Sequence, residues 1–265
     1  MAALNTASNT VSTRFAWHSS HQSDRGKVRH LNEDALLDRP DLGLWVVADG
    51  MGGHSSGDLA SRLIVESLET LQPQGESLGS LAGEVDRRLQ QVNLRLQQES
   101  QRRGGGIIGS TVVLLLAHEG YCIYQWAGDS RIYLYRRGSL KQLSRDHSQV
   151  QEQLEGVFGD GLSCDAASIA NYITRAVGAS TTLELDAEII EPCEGDRFLL
   201  CSDGLNKELS DIEIAAVLEQ YPLQEAAARL LALSLERGAS DNVTLILVEA
   251  GTVPPGSHSR NSHAK

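Results

Sequence analysis

Four apolar runs in this chain each stop at an aspartate or start just after one, and this constrains the fold more than any other feature. Leu44-Trp45-Val46-Val47-Ala48 leads into Asp49, Tyr124-Gln125-Trp126-Ala127-Gly128 into Asp129, and Arg197-Phe198-Leu199-Leu200-Cys201-Ser202 into Asp203, while Asp241 precedes Val243 to Val248. Runs this short and this apolar read as buried strands. A carboxylate at the end of a buried strand has a short, rigid stem, so strand ends that converge carry their carboxylates together.

Five acidic motifs belong to this pattern: Asn32-Glu33-Asp34, Asp49-Gly50-Met51-Gly52-Gly53-His54, Gly128-Asp129-Ser130-Arg131, Ser202-Asp203-Gly204 and Ser240-Asp241-Asn242. Singly, each reads as well as a turn or a cap, since Asp-Gly is a common turn dipeptide. Jointly, they would repel one another and destabilise the fold unless a cation intervened. Oxygen ligands with no matching Cys or His set select hard octahedral cations, so Mg²⁺ or Mn²⁺ is expected before Zn²⁺. Gly50 and Gly204 let the backbone approach such an ion, and the Gly50 carbonyl is itself a candidate ligand. Two ions about 3.5–4 Å apart lower the pKa of a bridging water and clamp an in-line displacement, which is phosphoester chemistry. Arg29, four residues before Glu33, is either a planar fork for the phosphoryl group or a plain surface arginine.

The rest of the chain narrows the choice of partner. With 265 residues, 41% of them hydrophobic, it can bury a sizeable core. A formal net charge of −12 and the lack of a basic stripe argue against nucleic acid or an anionic membrane as partner. The first 25 residues hold no apolar stretch of the signal-peptide kind, which places the protein in the cytoplasm. Cys122, Cys164, Cys193 and Cys201 form no C-x-x-C pair and read as reduced core thiols.

Further strands are expected at Thr13 to His18, Ser110 to Ala117, Tyr121 to Ala127 and Arg131 to Arg136, with a hairpin turning at Arg137-Gly138. Helical periods run from Gly57 to Leu71, through Leu81, Val85, Leu89, Val92 and Leu96, and from Leu223 to Glu236, while Ser210 and Glu213 form a capping-box signature. Strands clustered between helix pairs imply two antiparallel sheets packed face to face and covered by helices. Residues 1–11 and 251–265 read as disordered ends, 12–250 as the folded body, and 146–171 as an inserted flap.

Taken in order, Ser23-Asp24-Arg25-Gly26-Lys27-Val28-Arg29, the five acidic motifs, Ile173-Thr174-Arg175-Ala176-Val177-Gly178 and Ser240-Asp241-Asn242-Val243-Thr244 resemble the metal-dependent protein phosphatase family, the protein phosphatase 2C type in its compact bacterial form. The resemblance implies an α+β fold, a four-layer α-β-β-α sandwich of two antiparallel sheets flanked by antiparallel helix pairs. It implies a protein serine/threonine phosphatase in which metal-bound hydroxide attacks phosphorus directly, without a phosphoenzyme. Asp49 would bridge two Mn²⁺ or Mg²⁺ ions, Asp203 and Asp241 would complete the first, the Gly50 carbonyl would bind the second, and Glu33 and Asp34 would act through waters. Arg29 would bind phosphate, and Asp129 with Asp203 corresponds to a weaker third site that is not always occupied. The implied partners are phosphorylated proteins and a cognate bacterial eukaryotic-like Ser/Thr kinase, with the chain a monomer. Where many relatives carry a histidine after Asp-Gly to protonate the leaving group, this chain has Met51, which leaves that step to His54 or to water. A silent phosphoprotein-binding scaffold and a small-phosphoester hydrolase are the competing readings.

Overall fold

A computed structural model describes residues 15–52, 56–72, 77–148 and 173–252. Its elements in chain order are β1 (Phe15–Asp24), β2 (Asp34–Arg39), β3 (Leu44–Gly52), α1 (Ser56–Glu69), α2 (Leu78–Arg102), β4 (Ile108–Ser110), β5 (Val112–His118), β6 (Tyr121–Ala127), β7 (Arg131–Arg136), β8 (Ser139–Gln142), β9 (Asp186–Ile190), β10 (Arg197–Cys201), α3 (Asp203–Glu208), α4 (Asp211–Gln220), α5 (Leu223–Arg237) and β11 (Val243–Thr252). One sheet has the order β1-β11-β10-β7-β8 and the other β2-β3-β5-β6-β9, with β4 paired to β3. Every strand pair is antiparallel.

The layering follows from the two-residue period of the strands. Along β3, Leu44, Val46 and Ala48 face the helices α1 and α2, where they meet Ala60, Ile64, Leu68, Val85, Leu89 and Leu96. The alternate residues Trp45 and Val47 point the other way, into a core shared with Phe198 and Leu200 of β10 and Ile246 and Val248 of β11. On the far side, Leu199 and Cys201 join Leu245 and Leu247 against Leu205, Ile214, Leu218 and Leu230 of α3, α4 and α5. Three cores therefore separate four layers. Strands buried on both faces must be largely apolar, which is why β3, β5, β10 and β11 carry the runs Leu44 to Ala48, Val112 to Ala117, Phe198 to Cys201 and Leu245 to Val248.

The expected hairpin and helices are present, as are the expected strands except that Ser110 ends β4 rather than opening β5 and that Thr13 lies outside the described residues; Arg137 and Gly138 turn β7 into β8 with φ of 52° and 81°. Ser210 N–H donates to Glu213 at 3.0 Å, completing the capping box of α4. Two expectations need correction. The strand begun at Phe15 runs on to Asp24, and β11 continues through Gly251 and Thr252, where a disordered tail was expected. Both extensions have one cause: β1 and β11 pair along their whole length, from Phe15 opposite Thr252 to Asp24 opposite Val243. Residues 1–11, 253–265, most of the expected flap, His54 and Cys164 lie outside the described residues.

The register gathers the acidic motifs at one end of the sandwich. Asp34 opens β2 directly opposite Asp49 near the end of β3. Cys201 closes β10 opposite Leu245, and Ser202 N–H donates to Thr244 O at 2.9 Å, so Asp203 leaves one strand where Asp241 enters its neighbour.

Candidate metal centre at the strand ends

Close backbone contacts hold this end together. A Cβ on Gly50 would stand 2.1 Å from Gly57 O and 2.6 Å from Glu33 O, so only glycine lets β3, α1 and the Glu33 segment meet there. Gly50 N–H donates to Glu33 O at 3.1 Å. At Gly204 a Cβ would fall 1.9 Å from Asn242 O, so glycine is what allows α3 to lie against the start of β11. Thr111 ties in the Asp129 turn, since its hydroxyl accepts from Asp49 N–H at 3.1 Å and bonds Ser130 Oγ at 2.7 Å.

The electrostatics are those of crowded, buried acids. Burial raises Asp34 to about 7 against the pull of the Ser202 hydroxyl, which donates to Oδ2 at 2.8 Å, and Asp203 and Asp241 push it further. Asp49 lies well above the usual carboxylate range through burial and the charges of Asp34, Asp203, Asp129 and Asp241. Burial and then Asp203 raise Asp129 to about 7. Asp203 is likewise raised by burial, with Lys207 opposing the rise. Asp241 is the exception: burial pushes it up, but Arg29, Lys207 and the Asn242 N–H outweigh burial and hold it below the usual range.

Unsatisfied oxygens test whether cations fit here. Asp34 Oδ1, Asp129 Oδ1 and Asp203 Oδ1 are buried with no hydrogen-bond partner. Each such atom costs about 1–3 kcal/mol unless something meets it. Hard divalent cations suit such a set, because the donors are all oxygen and the charge to be neutralised is concentrated. Among the described residues no three acidic, histidine or cysteine side chains stand around one point closely enough to hold an ion as they are placed. Asp203 and Asp241 lean instead on basic neighbours. Lys207 Nζ contacts Asp203 Oδ2 and lies 3.2 Å from Asp241 Oδ2, and Arg29 forks Asp241 through Nε at 2.8 Å and Nη2 at 2.9 Å.

Asp34, Asp49, Asp129, Asp203 and Asp241 are thus brought into mutual electrostatic contact, with the Glu33 carboxylate beside Gly57 and Arg29 at the rim. Three residues of the site carried no role in the sequence reading. Asn242 accepts from Glu33 N–H at 2.9 Å and donates to Arg25 O at 2.8 Å and Leu31 O at 2.9 Å, pinning both ends of the loop that carries Arg29. Ser202 binds Asp34 and Lys207 binds two aspartates. The signal for Asn242 was its place at the mouth of a strand, where asparagine is depleted. That for Lys207 was its i,i+4 spacing from Asp203, visible only once α3 is recognised.

The family that matches is protein phosphatase 2C, over residues 24–243. Serine/threonine phosphatase stp of Listeria welshimeri serovar 6b is 32% identical, over 90% of this chain and 98% of that protein. The solved structure of PppA, described as a key regulatory component of T6SS in Pseudomonas aeruginosa, matches with a TM-score of 0.82 at 44% identity, covering 90% of this chain and 99% of that one. The catalytic domain of the serine/threonine protein phosphatase PstP, solved in complex with two manganese ions, matches with a TM-score of 0.76 at 32% identity, covering 90% of this chain and 100% of that one.

Proposed function

The chain belongs to the protein phosphatase 2C family, and on that premise we propose how its residues divide the work of the reaction. It is a metal-dependent protein serine/threonine phosphatase, served by Mn²⁺ or Mg²⁺. The observation that carries the division of roles is the row of buried aspartates with unpartnered oxygens next to a single arginine fork. Asp49, at the centre, would hold both ions, with Asp203 and Asp241 as further ligands of the first and the Gly50 carbonyl as a ligand of the second; Glu33 and Asp34 would act through waters, with Asp129 as an outer carboxylate. When bound, the two ions supply a water of lowered pKa and neutralise charge on the phosphoryl oxygens.

Arg29 orients the substrate. Its side chain is half exposed, and its Nε and Nη2 already bind two oxygens of one planar acceptor, the Asp241 carboxylate. A phosphoryl group presents a similar oxygen pair, so the same fork fits it. No side-chain nucleophile is called for: burial pushes the thiols of Cys122 and Cys201 up, the latter to about 12, so neither is a thiolate near neutral pH. Met51 has no proton to give, which leaves the leaving alkoxide to His54 or to water.

The phosphate removed is one that a Ser/Thr kinase of the eukaryotic-like type has added, and the phosphatase works opposite that kinase, as a monomer in the cytoplasm where ATP is available. Among the described residues no helix is long and apolar enough to cross a membrane. The 44% identity to PppA, described as a key regulatory component of T6SS, supports a regulatory task of that kind for this chain. The test is hydrolysis of a phosphothreonine peptide and of p-nitrophenyl phosphate with Mn²⁺, with Mg²⁺ and with chelator. Turnover with metal and none in chelator is expected, and full activity in chelator would refute the reading.

A further inference from the structure

Lys207 has no task in that chemistry, yet its ammonium lies among the carboxylates. Four residues beyond Asp203 on α3, it is placed by helical geometry against Asp203 Oδ2, and it stands 3.2 Å from Asp241 Oδ2. Its side chain is 34% exposed, so two thirds of it is packed into the site. Its charge also reaches Asp129, drawing that carboxyl down against the rise that burial imposes. Asp203, which with Asp129 would form an outer ion site, binds this ammonium directly, whereas Asp129 feels it only through space and keeps its buried Oδ1 without a partner.

We propose that the Lys207 ammonium is a built-in cation for the outer pair Asp129 and Asp203, so that this chain takes two divalent ions and excludes a third. The inference rests on the assignment of the inner ions made above. Asp203 can serve both neighbours: Oδ2 faces Lys207, whereas Oδ1 is buried without a partner and free for an inner ion. An acid preceding a base by four residues is the favourable order on a helix, so the pairing is held by the backbone. A further divalent ion between Asp129 and Asp203 would meet a fixed positive charge within a few ångströms, where partial burial weakens solvent screening. Unlike a weakly held metal, a tethered ammonium does not dissociate as metal concentration falls.

The test is metal stoichiometry, read without turnover. The 265-residue protein, stripped with chelator, is dialysed to equilibrium against millimolar Mn²⁺, and bound manganese per folded chain is counted by mass spectrometry. Two ions are expected for the wild type, for Asp129→Asn and for Lys207→Arg. Lys207→Ser should take one ion more, and Lys207→Ser with Asp129→Asn should return to two. A wild type that binds three ions and loses one in Asp129→Asn overturns the proposal, with no need for a lysine variant. So does a folded Lys207→Ser that stays at two. Uptake of no manganese by any variant would refute the metal centre as well.

Discussion

Between the two sheets, Phe198, Leu200, Val113, Leu115 and Ile246 are fully buried among apolar neighbours. A few residues along the same strands, Asp49, Asp203 and Asp241 crowd together as acids, and Asp203 keeps a buried oxygen without a partner. The first region gains about 1.5–3 kcal/mol for each large side chain it hides from water. The second gives some of that back through desolvation and like-charge repulsion. One set of strands thus carries both stability and the strain that a cation relieves. Substitutions in the two regions should therefore have opposite signatures.

The largest expected effect separates them most cleanly. Asp203→Ala or Asp241→Ala should abolish turnover on a phosphothreonine peptide while the protein stays folded, because each removes a proposed ion ligand and no apolar contact. Asp49→Asn should also be inactive, and should raise metal-free stability by about 0.5–2 kcal/mol, since it removes a carboxylate that burial and four neighbouring acids disfavour. Thermal melting in chelator checks this; a lower melting temperature for Asp49→Asn would break the comparison. Phe198→Ala should do the reverse, costing about 3–5 kcal/mol in denaturant unfolding while the folded fraction keeps its metal-dependent activity. Arg29→Ala should weaken transition-state binding by about 2–4 kcal/mol, read as kcat/KM, and cost no more than about 1 kcal/mol of stability, because the Arg29 end of the pair it breaks is half exposed.

Much of this contrast was legible in the sequence, for a physical reason. Strands buried on both faces must be largely apolar, so Leu44 to Ala48 and Arg197 to Cys201 announced themselves, and the aspartates at their ends came with them. Val85, Leu89, Val92 and Leu96 gave α2 by their period, and all four are buried. What stayed hidden depends on register or on short elements. The edge strand β9 (Asp186–Ile190) is partly or fully exposed along its whole length and carries no apolar run. Helix α3 is six residues long and begins on Asp203-Gly204, which reads as a turn, so the Asp203 to Lys207 spacing had no helix to give it meaning. That Asp34 faces Asp49 follows only from the pairing of β2 with β3.

The smallest expected loss sits at the junction of the two regions. Asn242 belongs to the strand end by position, yet it acts as a structural part, fastening Glu33 N–H, Arg25 O and Leu31 O with one amide. Asn242→Ala leaves those groups to water or to nothing, at a cost of about 1–3 kcal/mol in stability. The same change frees both ends of the loop that presents Arg29, so KM for a phosphopeptide should rise more than kcat falls. Asn242→Asp tests the donor side alone: a carboxylate can still accept from Glu33 N–H but cannot donate to Arg25 O and Leu31 O. If both variants lost stability with no change in KM, Asn242 would belong wholly with the core. If KM rose with stability intact, it would belong with the site. A shift in both places it where its three hydrogen bonds do, coupling the stable part of the fold to the reactive part.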